Sequence, residues 1–229
     1  MLKVRFALLG ALTLFMFSGV MTSVASASGP FFHVGGTKLS GTKQIKLQAK
    51  GPAVFKAPSV KLEVECNGSV SEGATIEGGG ETQGQAKGRV SFSSCKVPLP
   101  KPECEVAQPI VTNQLKSYLA ISVKPVTQTK DVEVFEPSTG VQFTELKLTN
   151  CGSLTTVGVT GSIAAELIPV GAEGQEGLVV YPAAAITEVN HEGTIKKLKF
   201  ETVATVDSFV AAYGARLATF PEKFGIFEQ

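Results

Sequence analysis

The residues of this chain with chemistry to offer are four cysteines, two histidines and a stock of carboxylates made almost wholly of glutamate. Cys66, Cys95, Cys104 and Cys151 are spaced by 29, 9 and 47 residues. A thiolate zinc site needs a Cys-x2-4-Cys pair to start its chelate, and none occurs, so the even count reads as two disulfides. Three pairings are open. Cys66 and Cys104 continue apolar rows (Leu62, Val64, Cys66; Cys104, Val106), whereas Cys95 and Cys151 each end the pattern apolar-x-apolar-x-x-Cys, over 90–95 and 146–151. If Cys95 and Cys151 sit at similar corners, each should partner an in-phase cysteine, which favours Cys66–Cys95 with Cys104–Cys151.

Hydrolytic chemistry finds little footing. A nucleophile elbow needs Gly-x-Ser-x-Gly, and no serine has glycines at both flanking positions. A triad needs a histidine beside its nucleophile. His33 and His191 both fall in polar, turn-like stretches where a surface position is expected, and His191-Glu192 does not extend to the zinc-protease pattern. Glycosidases place two carboxylates about 5–10 Å apart. Glu63 and Glu65 share a strand face, which makes them the pair to check, although such pairs are ordinarily solvated. Only Asp131 and Asp207 are aspartates, so calcium loops built on repeated Asp are absent. Sugar stacking wants aromatic platforms, yet there is no Trp, and Tyr118, Tyr181 and Tyr213 are scattered. The glycines of 77–88 fit neither the dinucleotide fingerprint nor the P-loop. No catalytic residue, cofactor-binding residue or metal ligand is assigned.

Alternating strands must position these groups. Val60 to Cys66 alternates without a slip, giving one core face and one wet face. Asn67-Gly68 reads as a hairpin turn with 70–76 as the return strand, and 77–88 as a glycine-rich loop. Strands follow at 89–95 and, at an edge because of Pro109, at 104–110, joined by a stiff proline-rich connection over 97–103. Further alternation covers 119–123 and 132–134, and Ser138-Thr139-Gly140 is a turn. Within 141–149 the apolar row changes phase near Thr144-Glu145, which predicts a bulge. The stretch 157–167 keeps one phase, as one long strand bent at Gly161. A charged loop is expected over 171–177, a polar turn at 190–193, and strand rather than helix over 207–220, where Gly214 disfavours a helix. The expectation is an all-β fold of about twelve strands, an antiparallel β-sandwich or barrel-like double sheet.

Lys3 and Arg5, an apolar run over 6–20 and Ala25-Ser26-Ala27 form the pattern of a secretory signal peptide, 1–27. The remaining 28–229 is expected to be a single secreted domain with no membrane span. Without Lys3 and Arg5 it carries 19 basic and 20 acidic residues, a balance with no positive field for nucleic acid or anionic membrane.

Several segments resemble a group of uncharacterised, secreted, β-rich proteins of soil actinobacteria: Phe32-His33-Val34-Gly35-Gly36-Thr37-Lys38-Leu39, 62–66, 91–97, 144–151, Val159-Thr160-Gly161-Ser162 and Glu222-Lys223-Phe224-Gly225-Ile226-Phe227. The resemblance implies export, β structure and paired cysteines, and brings no activity. The resulting expectation is a secreted, non-catalytic protein acting by surface contact, adhesive or structural, outside the cell or at its wall, through a partner the sequence leaves unknown. A carrier of an apolar small ligand and a secreted hydrolase built on Glu63, Glu65 or the histidines are the alternatives.

Overall fold

The computed structural model describes residues 30–79, 82–99, 103–124, 130–168, 174–181, 186–204, 206–209 and 211–227. The expected signal peptide lies outside them, as do 100–102 of the proline-rich connection. The described residues form an antiparallel, nearly all-β fold, with one turn of 3-10 helix at Pro58–Val60.

The strands, in order, begin with β1 (Phe31–Val34), β2 (Thr37–Lys38), β3 (Gly41–Gln44), β4 (Lys46–Ala49) and β5 (Ala53–Ala57). Two long strands follow, β6 (Leu62–Gly79) and β7 (Thr82–Leu99), then two short ones, β8 (Glu105–Val106) and β9 (Ile110–Val111). Next come β10 (Leu115–Lys124), β11 (Asp131–Pro137), β12 (Gln142–Thr149), β13 (Thr156–Gly161), β14 (Ile163–Ile168) and β15 (Gly174–Tyr181). The last are β16 (Glu188–His191), β17 (Thr194–Lys197), β18 (Phe200–Ala204), β19 (Val206–Phe209) and β20 (Ala211–Phe227). Several are collinear pieces of one position: β3, β4 and β5 all lie along β6.

The larger sheet runs β17-β16-β10-β11-β14-β15-β20-β4-β6-β7-β9, and the smaller runs β19-β18-β13-β12-β8. β10 also pairs β7, from Leu115–Gly88 to Tyr118–Gln85, so the ladders of the larger sheet come back on themselves. They do not seal into a barrel. Between β4 and β6 the ladder narrows to one pair, Gln48–Val70, and the Leu47 N–H donates to the Ser71 hydroxyl, at 2.8 Å. The segment 105–113 stitches the two sheets together. On one side it pairs β7 at Ser91–Val111 and Phe92–Ile110; on the other the Ala107 and Asn113 N–H groups donate to Lys147 and Phe143 carbonyls of β12, each at 2.8 Å.

Alternation sorts the side chains as the two-residue period requires. Leu62, Val64 and Cys66 are buried together with Phe55, Phe92, Leu146 and Val159 in one large core. The opposite face of β10, β11 and β14 carries a second cluster, Tyr118, Ala120, Val132, Val134 and Ala164, covered by Ile186, Val189 and Leu198.

Several expectations are corrected. Asn67-Gly68 makes no turn: β6 runs through it, with Gly68 opposite Ser93. A Cβ on Gly68 would run into the Ser93 side chain, so the glycine serves close approach between strands. The 77–88 loop is likewise strand on both sides of 80–81, paired from Glu77–Gln85 to Gly79–Thr82. A Cβ at Gly84 would strike the Phe32 ring, and one at Gly88 the backbone of Ala74. The stretch 157–167 is two strands in two sheets, broken at Gly161, whose φ is 95°. β15 begins inside the expected 171–177 loop, at Gly174. The 97–103 connection is shortened, because β7 continues to Leu99 opposite Glu63, and 104–110 holds two short strands, β8 and the start of β9, in place of one. Other expectations hold: the β12 register shifts between Gln142 and Thr144 opposite β13, Glu192-Gly193 turns β16 into β17, and 207–209 and 211–220 are strand on β19 and β20.

Candidate functional site

Both disulfides join the expected partners, Cys66–Cys95 and Cys104–Cys151, with Cα–Cα distances of 3.9 and 4.6 Å. The shared apolar-x-apolar-x-x-Cys pattern has a backbone cause. Ser94 and Asn150, each just before its cysteine, adopt left-handed φ values of 52° and 58°. One residue out of the extended conformation shifts the alternation by a step and turns the following cysteine back toward the core. Cys66 and Cys95 are directly opposed across β6 and β7. On its far side Cys95 has no strand; the Gln108 carboxamide replaces one, accepting from the Cys95 N–H at 2.8 Å and donating to its carbonyl at 2.9 Å. Beyond Gln108 the two walls splay, and a pocket of ≈ 400 Å³ opens between Cys95–Pro98 and Cys104–Val106.

The glutamates proposed for hydrolysis are each engaged by a lysine. Glu63 binds Lys56 of β5 at 3.0 Å and Glu65 binds Lys96 of β7 at 3.4 Å, on opposite flanks of β6. The same device recurs over the wet faces, in Lys116–Glu136 at 3.2 Å, Lys124–Glu188 at 3.3 Å and Lys130–Glu166 at 2.8 Å. These lysines are about half exposed or more, so each pair adds at most about 1 kcal/mol.

His33 lies on β1 opposite Lys38, and His191 on β16, so the structure does not gather the histidines with Glu63 and Glu65. Both are half-buried rather than on the surface. The His191 ring packs against Tyr118, tilted by 46° with centroids 4.3 Å apart, and its Nδ1 lies 3.1 Å from the Leu119 carbonyl. That oxygen can only accept, so Nδ1 carries the proton. Lys196 stands 4.2 Å from the same tyrosine ring. Burial pulls the imidazole below its usual value, helped by Lys196, against the Leu119 hydrogen bond and the Glu192 and Glu136 charges. Burial, with Glu136 nearby, pushes the Tyr118 hydroxyl up to about 12. Tyr118, His191 and Lys196 thus form a packed contact between β10, β16 and β17, with the imidazole biased toward its neutral form.

The pair that sequence reading missed is Ser117 with Glu133, both buried on the core side of β10 and β11, the hydroxyl donating to the carboxylate at 2.5 Å. The signal was present, since both keep the inward phase of Leu115, Leu119 and Phe135. Beside them a pocket lined by Ile45, Leu47, Val90 and Phe135 has a volume of ≈ 30 Å³. That is about one water, far short of a small-molecule site. Among the described residues no three His, Cys, Asp or Glu side chains are grouped to hold a metal ion, and no helix is long and apolar enough to cross a membrane.

One outer row crosses four strands in register, Gln48–Val70–Ser91–Val111. Its valines are 39% and 38% exposed, unusual for a residue type that is mostly interior. Comparison with protein-family models, with curated proteins and with solved structures finds no match to this chain.

Proposed function

We propose that the chain is exported and works without catalysis, as a disulfide-locked β protein that meets another surface through its outer sheet faces. The observation that carries this reading is the size of the apolar pocket beside Ser117 and Glu133, which holds only ≈ 30 Å³ and has no room for cargo, while the larger pocket beside Gln108 is open to the outside. The engagement of Glu63 and Glu65 by lysines on opposite flanks of β6 supports a non-catalytic reading over a hydrolytic pair. The exterior offers the Val70–Ser91–Val111 row, a partly apolar strip in register across β6, β7 and β9. Two cysteine pairs bonded across strands suit an oxidising compartment outside the cytosol.

Fractionation of the producing cells, followed by intact-mass analysis, tests the reading. The expected product begins at Ser28, retains both disulfides, and is found in the medium or on the wall. Incubated with isolated cell envelopes, the purified protein should be depleted from solution and recovered chemically unchanged. An intact leader held in the cytoplasmic fraction would overturn export, and solution recovery unaffected by envelopes would overturn contact with that surface.

A further inference from the structure

Phe31 of β1 pairs with Phe227 of β20, and the ladder runs from there to Val34–Phe224. The two ends of the described chain therefore leave the fold side by side. Ladder hydrogen bonds lie perpendicular to the strands. A pull that separates residues 31 and 227 thus loads the first pair alone, then the next, whereas pulls from opposite ends of the ladder would load all its pairs at once. We propose that β1 is a tension-released strap: force across the chain ends peels it from β20 pair by pair. The proposal rests on the surface-contact reading, since contact with another surface is what would put the fold under load.

The strap has a seat and a stop. Phe31 and Phe32 are 4% and 3% exposed, and the Phe32 ring fills the space that a Cβ on Gly84 would take, so peeling uncovers β7 at Gly84. Further opening meets the disulfides, which keep 29 and 47 residues out of the path of the force. The path from residue 31 to residue 227 is 196 residues. At about 3.5 Å per extended residue the reduced chain would reach about 690 Å, and the oxidised chain about 420 Å.

Single-molecule pulling on the oxidised 28–229 chain tests this, with handles at its two ends. The expected trace shows a short early step of about 35 Å, the length of 31–40, before the main rupture, and a total near 420 Å that grows toward 690 Å once the bridges are reduced. A single rupture with no early step would overturn the proposal. A second geometry places one handle in the Gly35-Gly36 turn, where added atoms meet nothing within 4 Å, and the other at the C-terminus, so that β1 and β20 are sheared. Shear should need the higher force for the first event; equal or lower force would also overturn it. Neither trace depends on envelope binding, so failure of the strap and failure of the surface-contact reading are separately visible.

Discussion

Replacing Gly161 by alanine attacks the corner where the chain passes from the smaller sheet to the larger. Two costs add. A side chain at φ 95° is strained by about 1–2 kcal/mol. The new Cβ would also run into the Lys199 carbonyl, which cannot easily retreat because it accepts from the Ser162 N–H at 2.7 Å. Forcing such an overlap costs about 1–3 kcal/mol more. Gly140→Ala is the matched control: its φ is 67° and its Cβ would meet nothing within 4 Å, so it carries the backbone cost alone. With a urea slope of about 2.5 kcal/mol/M for a domain of this size, Gly161→Ala should lower the unfolding midpoint by about 1–2 M and Gly140→Ala by about half a molar. The assay is urea unfolding of oxidised protein followed by far-UV circular dichroism, with the slope checked for constancy. Midpoints that coincide for the two variants would refute the reasoning, since they would mean that the corner yields freely and the steric half of the account is void.

Replacing Cys104 and Cys151 together by alanine should cost about 4 kcal/mol, and removing Cys66–Cys95 slightly less, because the loops closed are 47 and 29 residues; the order of the two urea midpoints checks this. Ser117→Ala withdraws one donor from the buried Glu133 side chain and should cost about 2 kcal/mol, read in the same assay, with a neutral result excluding a structural role for the pair. His191 is depressed in the folded state, so its contribution is full above the unfolded value of about 6.5 and is lost as pH falls from there through the lower folded value. The unfolding midpoint should therefore drop between pH 7.5 and pH 5, and His191→Gln should flatten that drop.

Strand period was the most legible property of the chain. Leu62, Val64 and Cys66 do point one way, the phase change near Thr144 is a register shift, and Phe209 with the run after it is strand rather than helix. The cysteine pairing was legible for the same reason, because an extra residue before Cys95 and Cys151 leaves its mark on the alternation. Glycine was where sequence reading failed. Gly68, Gly84 and Gly88 look like turn or loop formers, but each makes room for a neighbour, Ser93, Phe32 or Ala74, that is distant in sequence. Gly161 showed the converse: the alternation of 157–167 is real, yet one backbone angle sends its halves to different sheets. Likewise Lys56 and Lys96 lie on different strands, so the fate of Glu63 and Glu65 could be known only once those strands were placed.

The bridges join first to second and third to fourth, with no interleaving. Under the proposed export, with the N-terminus leading, Cys95 would arrive while Cys66 is its sole available mate, and Cys104 would then wait for Cys151. An oxidant that simply links thiols in order of appearance would write the native connectivity unaided, leaving a shuffling isomerase nothing to correct.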